Sequence, residues 1–179
     1  MTENENTQAM QGQGGGQDGE QEAGIALQKI YVKDISFESP NAPEIFAKPW
    51  APEYNMDLHT KNAKLADNIY EVVVAVTLTC TLEGMTAYIV EVQQAGIFAV
   101  QGLTGPQLAH VVNAYCPNTL FPYLREAIDT VVVKGSFPAA MLAPVNFDAI
   151  FAQAVLQKQQ QAKAAAEAVA TSGETPTAH

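Results

Sequence analysis

The residue pattern predicts an α+β fold: a four-stranded antiparallel sheet with helices packed on one face. Three observations predict it. Apolar residues alternate with a period of two over much of residues 25–94, and they recur at helical spacing over residues 104–155. The strand-like and helix-like halves also follow one another without interleaving, which argues against a parallel α/β sheet.

The clearest strand is Ile69 to Leu82, where Tyr70, Val72, Val74, Val76, Leu78, Cys80 and Leu82 occupy every even position. The odd positions include Glu71, Thr77, Thr79 and Thr81. This is a strand with one buried face. Glu83-Gly84 suits a tight hairpin turn, because glycine takes positive φ without strain. Alternation resumes from Thr86 to Gln94, with Tyr88, Val90 and Val92 on one side and Ile89, Glu91 and Gln93 on the other.

Residues Ile25 to Phe37 are strand-like with two breaks. Apolar parity switches between Leu27 and Ile30 and again between Val32 and Ile35, which predicts bulges or strong twist. Its last part puts Ile35 and Phe37 on one face, with Asp34, Ser36 and Glu38 on the other. A short fourth strand is expected at Tyr54, Met56 and Leu58, alternating with Asn55, Asp57 and His59. Between them, Pro40, Pro43, Pro49 and Pro52 forbid ladder pairing. The same segment holds Ile45, Phe46 and the single Trp, Trp50, which a flexible linker does not need. It reads as a structured crossover loop.

Thr104 can cap a first helix whose seam is Leu108, Val111, Val112 and Tyr115. Cys116-Pro117-Asn118 is expected to end it, since the residue before proline avoids helical geometry. A second helix should turn Leu120, Phe121, Leu124, Ile128 and Val131 inward, with Pro122 in its first turn and Gly135 as its C-terminal cap. Asn146 starts a third helix through Phe147, Ile150, Phe151 and Val155, expected to fray past Gln157.

These elements define a domain over residues 25–156. The segment 1–24 holds five acidic residues, no basic ones and the run GQGGGQDG, and is expected to stay disordered. Residues 157–179 form a Gln/Ala-rich stretch expected to be a flexible tail. The formal net charge of −10 comes half from the N-terminal segment and half from the rest. An acidic chain with nine Lys+Arg and no basic stripe disfavours nucleic acid and suits a basic partner. Two cysteines make no disulfide framework, and no run approaches a membrane span of about 18 residues. The reading is a reduced, cytosolic, soluble protein with no membrane insertion.

No reaction chemistry stands out. His59, His110 and His179 are isolated, GQGGG lacks the strand and Lys-Ser/Thr of a phosphate loop, and no metal set is spaced for ligation. Cys80 falls on a buried strand face and Cys116 has no histidine placed to activate it. The expectation is a protein without catalytic residues, cofactor or metal. What stands out is apolar surplus: Ile45, Phe46 and Trp50 in the loop, and Tyr54, Met56 and Leu58 beside it. They either pack beneath the loop or line a groove for extended apolar segments.

The strings IYVKDISFESPNAP (30–43), YEVVVAVTLT (70–79), VEVQQAGIF (90–98), AYCPNTLFPYLREAI (114–128) and LAPVNFDAIF (142–151) resemble the SecB protein-export chaperones, in order and spacing. The resemblance spans about Ile25 to Phe151. It implies subunits paired through strand edges and two dimers joined through the first helix into a homotetramer, for which Leu108, Val112 and Tyr115 are the candidate interface. It also implies apolar grooves for unfolded precursors under the crossover loop, where Trp50, Tyr54, Met56 and Leu58 match groove positions. The resemblance further implies that clients are handed to the SecA ATPase, whose basic module would dock on an acidic sheet surface matched by Asp34, Glu38, Ile89 and Glu91.

The expected function is therefore a cytosolic holdase that keeps precursors competent for translocation and delivers them to SecA. The alternative is a SecB-like chaperone dedicated to one client, such as an antitoxin. The two tails depart from the family pattern: the first is longer and glycine-rich, and the second is not strongly acidic.

Overall fold

A computed structural model describes residues 23–171, with side chains of the last helix described to residue 164. Most of the expected N-terminal tail, and residues 172–179, lie outside the described part. The sheet has four antiparallel strands in the order β1-β4-β3-β2. They are β1 (Gly24–Glu38), β2 (Pro52–Ala66), β3 (Ile69–Leu82) and β4 (Met85–Gln101). The chain thus leaves one edge of the sheet at Glu38 and enters the opposite edge at Pro52. The helical half comprises α1 (Gly105–His110), a π-helical turn (Val111–Tyr115), α2 (Cys116–Lys134) and α3 (Phe147–Thr171).

The alternation in β3 is realised residue by residue: Val72, Val74, Val76, Leu78, Cys80 and Leu82 are buried on the helix-covered face. The β3–β4 turn takes positive φ at both Glu83 and Gly84, the left-handed pair that matches strand twist. In β1 the pairing with β4 shifts between Leu27 and Lys29 and between Val32 and Asp34, where the parity switches predict bulges. Beside the second shift, buried Gln94 donates from Nε2 to the Tyr31 carbonyl at 2.9 Å, which satisfies a polar side chain inside the core.

Two strands are longer than expected. β2 continues from Leu58 to Ala66, pairing with β3 as far as Ala66 opposite Ile69. Its second half, TKNAKLA, is exposed at a sheet edge, so it buries no apolar stripe for a periodicity rule to detect. β4 runs on to Gln101 through Gly96, where a Cβ would stand 2.8 Å from Leu120 Cδ2 and 2.9 Å from the Phe98 ring. Glycine there lets α2 lie close on the sheet.

The helices correct three expectations. Cys116-Pro117 does not end the first helix, because Cys116 keeps helical angles of φ −63°, ψ −46° and bonds through its N–H to Val111 O, five residues back. The widened π turn makes room for the Pro117 ring without breaking the helix axis. Pro122 consequently lies inside α2 rather than in its first turn; Asn118, whose carbonyl it deprives of a donor, lies exposed. The third helix does not fray at Gln157 but extends to Thr171. Its start is as read: Asn146 Oδ1 accepts from Ala149 N at 2.9 Å.

Gly135 does terminate α2, although for another reason than a left-handed cap. Its φ is −76°, and the left-handed residue is Ser136 at +67°. A Cβ on Gly135 would run into the ring of Phe37, which is stacked on Tyr88. Core residues of α2 (Leu120, Phe121, Leu124, Ile128, Val132) close the sheet face over β3 and β4.

Candidate functional site

The crossover loop is rigidly tied. Ser39 Oγ donates to Ala87 O at 2.8 Å, Asn41 Nδ2 donates to Thr86 O at 2.9 Å, and Lys48 pairs with Glu83 at 2.7 Å. A single 3₁₀ turn, Glu44–Ala47, drives Ile45 inward to 1% exposure. The same turn points Phe46 the other way, leaving it 50% exposed, with Trp50 41% exposed beyond it. Four prolines around one turn thus produce an anchor and two aromatic outcrops.

Those outcrops face a cleft of about 170 Å³ with Ile45, Leu82 and Phe137 among its walls. Phe137 is the hub: its ring centroid lies 5.1 Å from Phe46, 6.0 Å from Trp50 and 5.0 Å from Tyr88. The apolar strip continues along β2, since Leu82 pairs with Pro52, Cys80 with Tyr54 and Leu78 with Met56. Tyr54 and Met56 are exposed, because β2 sits at the sheet edge; Leu58 is half-buried against the core. The sequence offers Ile45, with Phe46, as a candidate contact for an extended apolar segment. In this chain it is floor rather than surface, and Phe137 and Leu82 are the members the sequence pattern missed. Phe137 could have been found by the criterion that found Trp50: a bulky aromatic beside proline outside any regular element.

Beneath the strip the polar groups are chemically quiet. The fully buried Tyr88 hydroxyl has no hydrogen-bond partner among the described residues, although Tyr54 and Cys80 adjoin it. Burial pushes it far above the ordinary tyrosine range, so it stays protonated. Burial likewise raises the Cys80 thiol and pushes Cys116 up to about 12, which leaves neither as a thiolate nucleophile at neutral pH.

The opposite, helix-free sheet face carries the acids. Asp34 pairs with Gln93, Ser36 with Glu91 and Glu38 with Ile89 across β1 and β4. Glu91 and Ile89 pair onward with Thr77 and Thr79 of β3, and Thr77 Oγ1 donates to Glu91 Oε1 at 3.4 Å. Paired residues share a face, so Asp34, Glu38, Ile89 and Glu91 form one patch. β2 extends it: Asp57 pairs with Thr77 and Glu53 with Thr81. Asp57 was visible in the alternation with Met56 and Leu58, yet its distance along the chain hid its place beside Glu91.

The expected interface seam divides. Leu108 is half-buried and Tyr115 49% exposed, whereas Val112 is 6% exposed in the single chain. Val112 belongs to the core of the chain itself, because the π turn packs against both α3 and β2.

With this geometry in view, likeness to known proteins decides the family. The family model for preprotein translocase subunit SecB matches residues 18–160. The protein-export protein SecB of Marinobacter nauticus is 55% identical over 150 residues, covering 84% of this chain and 91% of that one. That of Hahella chejuensis is 58% identical over 143 residues, covering 80% and 90%.

The chain belongs to the SecB family.

Its function is accordingly that of a protein-export chaperone. Among solved structures, the SecB-like chaperone of Mycobacterium tuberculosis, in complex with a ChAD peptide from an antitoxin, superposes with a TM-score of 0.57. It is 12% identical and covers 68% of this chain and 90% of that one, so the likeness is one of fold. The SecB fold thus comprises the four-stranded antiparallel sheet with its helices. No helix among the described residues is long and apolar enough to cross a membrane.

Proposed function

We propose that this SecB protein works in the cytoplasm as a homotetrameric, ATP-independent holdase. It takes unfolded precursor segments into the cleft around Phe137 and presents them to SecA through its acidic sheet face. The observation that carries this reading is the rim of Phe46 and Trp50, two half-exposed aromatics held over a buried floor of Ile45 and Phe137. Large side chains on a fixed support offer apolar contact without ordering cost, and Tyr54, Met56 and Leu58 lengthen the strip for an extended segment.

Three features support the partners. The helix-free face gathers Asp34, Glu38, Glu91 and Asp57 around half-buried Ile89, a surface suited to a basic module with an apolar contact at its centre. β1 is an unpaired sheet edge with exposed Ile25, Leu27, Val32 and Ile35, which suits pairing with a second copy. Tyr115 with Leu108 offers the contact between dimers; Val112 does not. The single-client alternative has no residue of this chain that favours it.

Aggregation suppression measured beside urea melts tests the groove. Phe46→Ala with Trp50→Ala should lower capture of an unfolded protein severalfold while the chain stays folded, with stability falling by about 1.5–3 kcal/mol for the two half-exposed side chains together. Full capture by a destabilised double variant would mean that these aromatics only pack the loop.

A further inference from the structure

The helix-free face is not acidic throughout; it has a basic end. Lys29 of β1 pairs with Ile97, which pairs with Glu71, so Lys29 and Glu71 stand on the same side of the sheet. Lys61 of β2 pairs with Val73, which pairs with Ala95, which pairs with Tyr31. Lys33 reaches over the second β1 bulge to Glu71, with Nζ 2.9 Å from both carboxylate oxygens, and the Tyr31 hydroxyl donates to the same carboxylate. Short side chains at Ala63 and Val73 between the long ones leave a notch of about 370 Å³, walled by Lys33, Lys61, Glu71 and Gln93.

The charge balance of the notch is unfinished. Glu71 is matched by Lys33, which leaves Lys29 and Lys61 exposed and without an ion-pair partner among the described residues. In a chain of net charge −10, Lys29, Lys33 and Lys61 are three of only nine basic residues, and they gather at the end of the face away from Glu38, Glu91 and Asp57, with Asp34, opposite Gln93, at the boundary. The same end is where β1 begins. Before Gly24 come residues 1–23, with Glu3, Glu5, Asp18, Glu20 and Glu22 and no basic residue.

We propose that the acidic N-terminal segment of the same chain folds back onto this notch, setting Asp18 and Glu20 near Lys29 and Glu3 and Glu5 against Lys61. The reach is sufficient. Lys33 is nine residues along β1 from Gly24, about 30 Å, and Lys61 lies three strand spacings across, about 14 Å. Glu5 stands 19 residues before Gly24, a tether of up to roughly 65 Å. Asp18, six residues out, reaches about 20 Å, enough for Lys29 and too little for Lys61. Charge and tether agree: the acids at the far end of the face repel the segment, and the lysines nearest its attachment attract it. Tethering raises the local concentration of carboxylates at the notch, so individually weak exposed pairs act together. The docked segment covers the basic end and leaves the acidic patch open, which makes the whole face uniformly negative toward a basic partner. The contact rests on this chain's own charges and not on the SecA reading.

Lysine acetylation rates read by mass spectrometry test it on the full chain. The comparison is with a full-length variant carrying E3Q, E5Q, D18N, E20Q and E22Q. At low salt Lys29 and Lys61 should react about two- to fivefold more slowly in the native chain than in the variant. Lys134 should react equally in both, and the difference should vanish near 0.5 M salt. Carbodiimide coupling should join Glu3 or Glu5 to Lys61 within one chain, and Lys61→Glu should abolish that product while Asp18 and Glu20 still couple to Lys29. Equal reactivity of Lys29 and Lys61 in the two proteins overturns the proposal. So does coupling found only between differently isotope-labelled chains, which would assign the segment to a neighbouring copy.

Discussion

The two faces of one sheet divide the work of this molecule. On the covered face, Val72, Val74, Val76 and Leu78 of β3 lie under α2 with essentially no exposure. On the other, the residues between them and their neighbours on β4 present Glu71, Thr77, Thr79, Glu91 and Gln93 to solvent. The same strands, read at even and odd positions, specify the core on one side and a polar, solvent-facing surface on the other, the surface proposed above for recognition. Side chains one residue apart should therefore respond to substitution in different currencies: stability for one face, partner binding for the other.

Val112→Asp is the strongest way to break that division. It places an unpaired carboxylate in the core between the π turn, α3 and β2 and should lower stability by about 3–5 kcal/mol in urea melts. Tyr115→Asp, three residues on and exposed, should melt within about 1 kcal/mol of wild type and sediment as a smaller oligomer. A Val112→Asp protein that folds normally as a dimer would return Val112 to the interface.

Gly135→Ala comes next. A methyl group there must displace the Phe37 ring from its stack on Tyr88, at a cost of about 1–3 kcal/mol. The result sharpens the comparison, because the covered face would be shown to depend on a missing side chain as much as on those present. An unchanged melting midpoint would show that Phe37 can move freely.

Glu71 supplies a smaller, pH-dependent effect on the helix-free face. The Tyr31 hydroxyl, and then the Lys33 ammonium, hold its carboxyl below the ordinary value of 4.5. A depressed folded-state pKa contributes stability above the unfolded value and loses it as pH falls through the folded one. Wild type should therefore lose an increment of stability that Glu71→Gln lacks as pH falls below the ordinary value of 4.5, measured by denaturant melts at a series of acidic pH values. Parallel pH profiles for the two proteins would remove the contribution.

The smallest effect on stability should come from Glu91→Lys with Asp34→Lys and Glu38→Lys. Each should shift stability by no more than about 0.5 kcal/mol, since the side chains are exposed. Binding of SecA, followed by titration at low and high salt, should fall sharply together with its salt dependence. Wild-type affinity in the triple variant would detach the acidic patch from SecA docking.

Legibility in the sequence followed the covered face. β3, its hairpin turn and the two bulges of β1 could be read because each leaves a mark on local alternation. The outer half of β2 left none: residues 60–66 are held by the ladder to β3 rather than by burial. The proline signals misled for a related reason. Pro117 and Pro122 are strong local breakers, and a π turn and an exposed Asn118 absorb them while α2 packs on the sheet. In the site, Trp50, Phe46, Tyr54 and Met56 were conspicuous as apolar residues without an obvious core. Phe137 carries the same local mark, an aromatic beside proline, yet nothing local ties it to a loop about ninety residues away.

By itself, then, the sequence determined the α+β class, the covered face of the sheet and the outward direction of Asp34, Glu38 and Glu91, because these depend on periodicity within one strand or helix. It also carried the motifs that place the chain among the SecB proteins. Only the tertiary structure decided that Ile45 is floor and Phe46 rim, that Val112 is core while Tyr115 is surface, and that Asp57 stands beside the Glu91 row. It likewise decided that three lysines from β1 and β2 gather at one end of the face, where Lys33 alone pairs with Glu71. Each of these is a meeting of residues far apart in the chain, and it is the packing of loop, sheet and helices that brings them together.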